Sequence, residues 1–144
     1  AGLIVIPCAA AKKTRPSPAC DLYDSAHFRF TLRAALARAN ATGARVAILS
    51  AKHGLVDPET KLSPYDVTIG DPEATNAGAV ASQLAVWRIG HIETLLPARY
   101  LAVARAAAGR LHSSGTVFRL DDLYGAAPGI GYQRAVLADL LRES

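Results

Sequence analysis

No apolar run in this sequence approaches the roughly 18 residues that a transmembrane helix requires, so no membrane partner is expected. The apolar stretch at positions 3–6 is followed too soon by Lys12 and Lys13 to read as a secretory signal, which points to a cytoplasmic protein. Cysteine is scarce. Cys8 and Cys20 cannot build a zinc site by themselves, and without secretory features they are expected as free thiols. His27, His91 and His112 lack metal-ligand spacing and read as surface residues, so neither a metal nor a cofactor is expected. No Gly-Lys-Ser/Thr follows a glycine-rich stretch, which excludes a P-loop, and no Gly-x-Ser-x-Gly elbow is present. Repeats and low-complexity linkers are also missing, so residues 1–144 read as one domain.

What is present suits a packed α/β domain. Half of the residues are hydrophobic (51%) and mean hydropathy is positive, which argues against disorder. Leu3-Ile4-Val5-Ile6 and Val46-Ala47-Ile48-Leu49 are short continuous apolar runs, the pattern of strands buried on both faces. Between them a helix is expected from Ser25 to Gly43, with Phe28, Leu32, Ala35, Leu36 and Ala39 inward and the glycine as its C-terminal stop. Two strands joined by a helix form a right-handed βαβ unit with parallel pairing. Residues 57–76, rich in Pro, Asp, Thr and Gly, read as a long loop over the site. A helix is expected over 77–95, strands over 99–103 and 116–118, a glycine-rich loop over 125–131, and a closing helix over 132–142. The sum is a three-layer α/β sandwich around a mostly parallel sheet of about four strands.

In an open parallel sheet the ligand crevice lies beyond the carboxyl ends of the strands. Pro7-Cys8 follows the first strand and Ser50-Ala51-Lys52-His53-Gly54 follows the second, so two sequence-distant polar clusters converge on one edge. Lys52 offers a fixed positive charge, His53 titrates near neutrality, and Gly54 allows a tight turn with positive φ. The plainer alternative is a solvated Lys52 and a His53 that caps a carbonyl. Ser25 suits a helix cap. Asp21 lies too far upstream for that job, and is either catalytic or base-recognising or bonded to the neighbouring loop. Tyr65 and Asp66 in Pro64-Tyr65-Asp66 can stack on a base and read its edge, or else simply pack and start a turn. Cys8 is a nucleophile if a neighbour lowers its pKa, and otherwise a small residue at a strand end. Gly129 and Gly131 can bring backbone N–H groups to a phosphate at the start of the last helix.

Together these residues resemble a bacterial and phage family known only as a domain of unknown function. The matching positions are Pro7, Cys8 and Lys12; Asp21, Leu22, Tyr23, Ser25 and Phe28; Leu49 through Leu55; Pro64, Tyr65 and Asp66; and Gly129 and Gly131. More distantly, the layout is similar to the core domain of archaeosine synthase, to the peroxide-stress DNA-binding family and to uracil-DNA-glycosylase-like folds. The archaeosine-type motif Pro-Tyr-x-x-Ser-x-x-His is broken here, with Ser25 one position early and Phe28 in place of the histidine, which speaks against lysine transfer to a deazaguanine base.

That neighbourhood implies work on modified bases, and the net charge of +4 is compatible with a nucleic-acid or nucleotide partner. The expected activity is N-glycosidic cleavage, with Asp21, Lys52, His53 and Asp66 as catalytic residues. Cys8, Lys12, Tyr23, Ser25, Ser50, Tyr65, Gly129 and Gly131 are expected to contact the substrate. A binding protein without catalysis, and a small-nucleotide sensor or transferase, are the alternatives.

Overall fold

The computed structural model describes residues 2–125 and 129–143. In chain order the elements are β1 (Gly2–Pro7), β2 (Ser17–Pro18), α1 (Ala19–Leu22), α2 (Ala26–Thr42), β3 (Arg45–Ser50) and β4 (Gly54–Val56). There follow β5 (Lys61–Leu62), α3 (Ala77–Val86), β6 (His91–Thr94), α4 (Ala98–Ser113), β7 (Arg119–Asp122) and α5 (Ile130–Glu143).

The apolar run of β1 explains the centre of the sheet. Leu3, Ile4, Val5 and Ile6 are all at most 1% exposed, which only a strand covered on both faces allows. Successive residues point to opposite faces, so Ile4 and Ile6 join one core and Leu3 and Val5 the other. Helices α2 and α5 pack together over the first, and α3 and α4 over the second. The expected three layers are therefore there. The five-stranded sheet runs β4-β3-β1-β6-β7, with four parallel strands and β4 antiparallel at one edge.

Helix α2 keeps the expected ends. Ser25 Oγ accepts from the Phe28 amide at 2.9 Å, and Gly43 closes the helix at φ 74°. Its buried stripe is Phe28, Thr31, Ala34, Ala35 and Ala39; Leu36, expected inward, is exposed. The second half of the chain differs more from expectation. The helix expected over 77–95 stops at Val86, because Arg88 takes φ 56° and turns the chain, and β6 follows. The strand expected over 99–103 is the first part of α4, whose Ala104, Ala107, Ala108 and Leu111 recur at helical spacing in an alanine-rich segment. The strand expected over 116–118 begins only at Arg119, after buried Phe118. In the loop over 57–76, β5 pairs antiparallel with β2. Among the described residues, no helix is long and apolar enough to cross a membrane.

The chain runs from β1 to β3 on one side, then crosses back to place β6 and β7 on the other. The order reverses between β1 and β6, and this is where doubly wound sheets open a crevice.

Candidate functional site

Pro7, the last residue of β1, pairs with Leu49, one before the end of β3, and Cys8 N–H donates to the Leu49 carbonyl at 3.2 Å. Ser50 closes β3 in full burial, and the chain turns at once into antiparallel β4, with Gly54 opposite Ser50. Ser50 Oγ holds this turn, accepting from the amides of Lys52 (3.3 Å) and His53 (3.1 Å). Gly54 adopts φ 73°, and a Cβ there would stand 2.4 Å from Gln83 Oε1. Gln83, on α3, clamps the hairpin: its Oε1 accepts from Leu55 N–H at 2.8 Å, and its Nε2 donates to the carbonyls of His53 and Leu55.

Tyr65 comes in over this turn. Its hydroxyl lies 2.7 Å from Ser50 Oγ and 2.6 Å from the hydroxyl of Tyr23, a side chain only 1% exposed. The hydroxyl chain has a direction. The two amides occupy both lone pairs of Ser50, so Ser50 donates to Tyr65, and Tyr65 donates to Tyr23. Burial pushes both phenols up, with the neighbouring Cys8 raising them further, so both are neutral hydrogen-bonding groups at physiological pH.

Charge gathers on the same rings. Lys12 Nζ stands 4.5 Å from the centroid of Tyr65 and 5.8 Å from that of Tyr23, within cation–π range. The His53 ring meets Tyr65 edge-on at 5.4 Å. Burial, then the charge of Lys52, lowers the His53 pKa, which leaves the imidazole mainly neutral at pH 7. Across the β1/β6 boundary, Cys8 Sγ lies 3.2 Å from the hydroxyl of Tyr100 in the first turn of α4. Burial, then bonding to Cys8, raises the Tyr100 phenol.

The structure thus brings Cys8, Lys12, Tyr23, Ser50, His53 and Tyr65 to one edge of the sheet. Lys52 is on the same turn and exposed. Asp21 and Asp66 flank the two tyrosines in sequence and are exposed. Ser25 spends its oxygen on the cap of α2, which accounts for it without a ligand. Gly129 precedes α5 and Gly131 lies in its first turn; among the described residues nothing stands within 4 Å of a Cβ added at either, and residues 126–128 of that loop lie outside the described residues. Among the described residues, no group of three or more His, Cys, Asp or Glu could hold a metal ion. His91, expected as a surface residue, pairs with Asp121 at 2.8 Å beside β7, and His112 bonds the Phe118 carbonyl at 2.6 Å.

Two participants carry no sequence signal of their own. Tyr100 sits in a stretch that reads as a strand; recognising β6 at 91–94 would have put it just beyond a strand end. Gln83 lies in mid-helix, outside any motif.

No curated protein and no solved structure matches the chain. A match to the family of unknown function DUF6884 runs over residues 3–108, taking in every residue of this cluster and stopping short of Gly129 and Gly131. The chain belongs to that family.

Proposed function

We propose that this protein acts on the N-glycosidic bond of a modified base, in DNA or in a nucleotide. One observation carries the reading: Tyr23, Tyr65 and Ser50 form a single hydrogen-bonded chain at the carboxyl ends of β1 and β3, with Lys12 and His53 against the same ring. The half-buried ring of Tyr65 suits stacking on a planar heterocycle, while Tyr23 and Ser50, at most 1% exposed, only hold that ring in place through its hydroxyl. Lys12 supplies positive charge for a departing base or a phosphate, and neutral His53 is free to take up a proton. Among the described residues, the side chains of Asp21 and Asp66 take part in no hydrogen bond or ion pair, so either is available to stabilise oxocarbenium character or orient a water. The free thiols of Cys8 and Cys20 fit a reducing, cytoplasmic setting.

The test is release of free base from DNA and nucleoside monophosphates carrying modified bases, followed by mass spectrometry. We expect release by the wild type and a loss of about 100-fold or more in either Asp21→Asn or Asp66→Asn, with unfolding midpoints unchanged. No release from any substrate in the pool overturns the proposal.

A second reading, binding without turnover, is favoured by the same exposure of Asp21 and Asp66: among the described residues no partner fixes either carboxylate in an attacking position. It predicts salt-dependent retardation of oligonucleotides in a gel, with no product.

A further inference from the structure

The loop that leaves β1 carries Lys12, Lys13 and Arg15, and these three residues, with Thr14 and Asp24, line an open concavity of about 320 Å³. We propose that this concavity is a phosphate-binding subsite, so that the ligand is a phosphorylated nucleotide unit and not a free base or nucleoside. The proposal rests on the nucleotide reading above and adds which part of the ligand the basic loop holds.

The charge balance points to an anion. Three cations face one lining carboxylate, and Asp24 is already engaged by Arg29 at 3.0 Å. Among the described residues, Lys12, Lys13 and Arg15 make no ion pair. Lys12 Nζ gives one hydrogen bond to the Ala10 carbonyl at 3.0 Å, and an ammonium has three to give.

The loop is also held in place before any ligand arrives. Lys12 bridges Tyr23 in antiparallel fashion, Lys13 N–H donates to the Leu22 carbonyl at 2.9 Å, and Asp24 N–H to that of Ala11 at 2.8 Å. Backbone pairing of this kind fixes the stems of the cations, which lowers the ordering cost of gripping a phosphate.

Lys12 links the two parts of the site. It lines the concavity and also stands over the Tyr65 ring, so the basic hollow and the tyrosine chain share a wall. A nucleotide asks for this arrangement, with a planar base joined through a sugar to a phosphate. The guanidinium of Arg15 can grip two phosphate oxygens at once, while Lys12 and Lys13 act as point charges.

The experiment measures binding of four probes by calorimetry: deoxyadenosine, deoxyadenosine 5′-monophosphate, inorganic phosphate and a short single-stranded DNA oligonucleotide. The proteins are the wild type, a Lys13→Ala/Arg15→Ala double variant and Lys13→Arg, with melting temperatures to verify folding. We expect the monophosphate and the oligonucleotide to bind the wild type at least about tenfold more tightly than the nucleoside. The double variant should lose that preference, with a shallower salt dependence by about one to two phosphates, and Lys13→Arg should keep it. The monophosphate and oligonucleotide arms separate a free nucleotide from a backbone phosphate as the source. Unchanged oligonucleotide affinity in the double variant, or equal affinity for nucleoside and monophosphate, overturns the subsite and leaves the nucleotide reading standing. If inorganic phosphate binds as well as the nucleotides and only the double variant loses it, the subsite stands and the nucleobase reading falls. Failure of all four probes on the wild type overturns both.

Discussion

In the first turn of α2, His27 keeps its Nδ1 buried with no hydrogen-bond partner among the described residues. Burial lowers its pKa, and the charge of Arg134 lowers it further, so the fold holds the neutral imidazole. The unfolded chain, with the ordinary value near 6.5, takes up a proton more readily than the folded one. Stability from this group is therefore complete above that value and is lost as pH falls through it towards the lower folded value. We expect urea midpoints to drop between pH 8 and pH 5, and His27→Gln to flatten part of that slope; an unchanged slope would assign the pH dependence elsewhere, His53 being next. At this scale the sequence was legible where polar side chains sit beside a recognisable strand end or turn, as at Cys8, Ser50 and His53. It was mute on Lys12 meeting Tyr65 across 53 positions of chain (65 − 12), because only the tertiary fold brings the two together.

Among elements, the turn from β3 into β4 shows how local and distant residues share one job. Ser50 staples it from within, Gln83 clamps it from α3, and Gly54 supplies the backbone conformation both require. Gly54→Ala meets two obstacles, a left-handed φ and an oxygen at 2.4 Å. A loss of about 1–3 kcal/mol in chemical unfolding is expected, together with weakened ligand binding, since His53 precedes the turn glycine. Stability equal to wild type would mean that Gln83 yields without cost. Strands β1 and β3 and helix α2 could be read from the sequence because continuous apolar runs, a capping serine and a closing glycine each carry a physical rule. The helix expected from Ala77 is there as α3, but the stretch 87–113 was misread: β6 was taken into that helix and the start of α4 for a strand. Gly90 and Pro97 are the stop and start signals at this break and were not given their weight; the left-handed turn itself falls on Arg88, a residue type that does not mark one.

Across the whole molecule, the two long excursions beyond the sheet are stitched to each other. Besides the β2–β5 pairing, Ala19 and Cys20 donate to the carbonyls of Thr60 and Pro58, and Arg99 of α4 bonds the Ile69 carbonyl. Tyr65 fastens this double loop to the sheet through Ser50. Tyr65→Phe leaves two hydroxyls short of a partner, for a cost of about 1–3 kcal/mol. Hydrogen exchange should report it locally: the amides of Ala19, Cys20 and Asp24 are expected to exchange faster as a group, while those of β1 and β3 hold their protection. Uniform acceleration over the whole chain would mean that the loops do not open as a unit. The ribbon of β2 and β5 is only two residues long on each side, yet it joins segments more than 40 residues apart in the chain. It ties two loops to each other during folding, and on the proposed function this leaves less entropy to be lost on binding. On the proposed function, the ligand meets a mould already set.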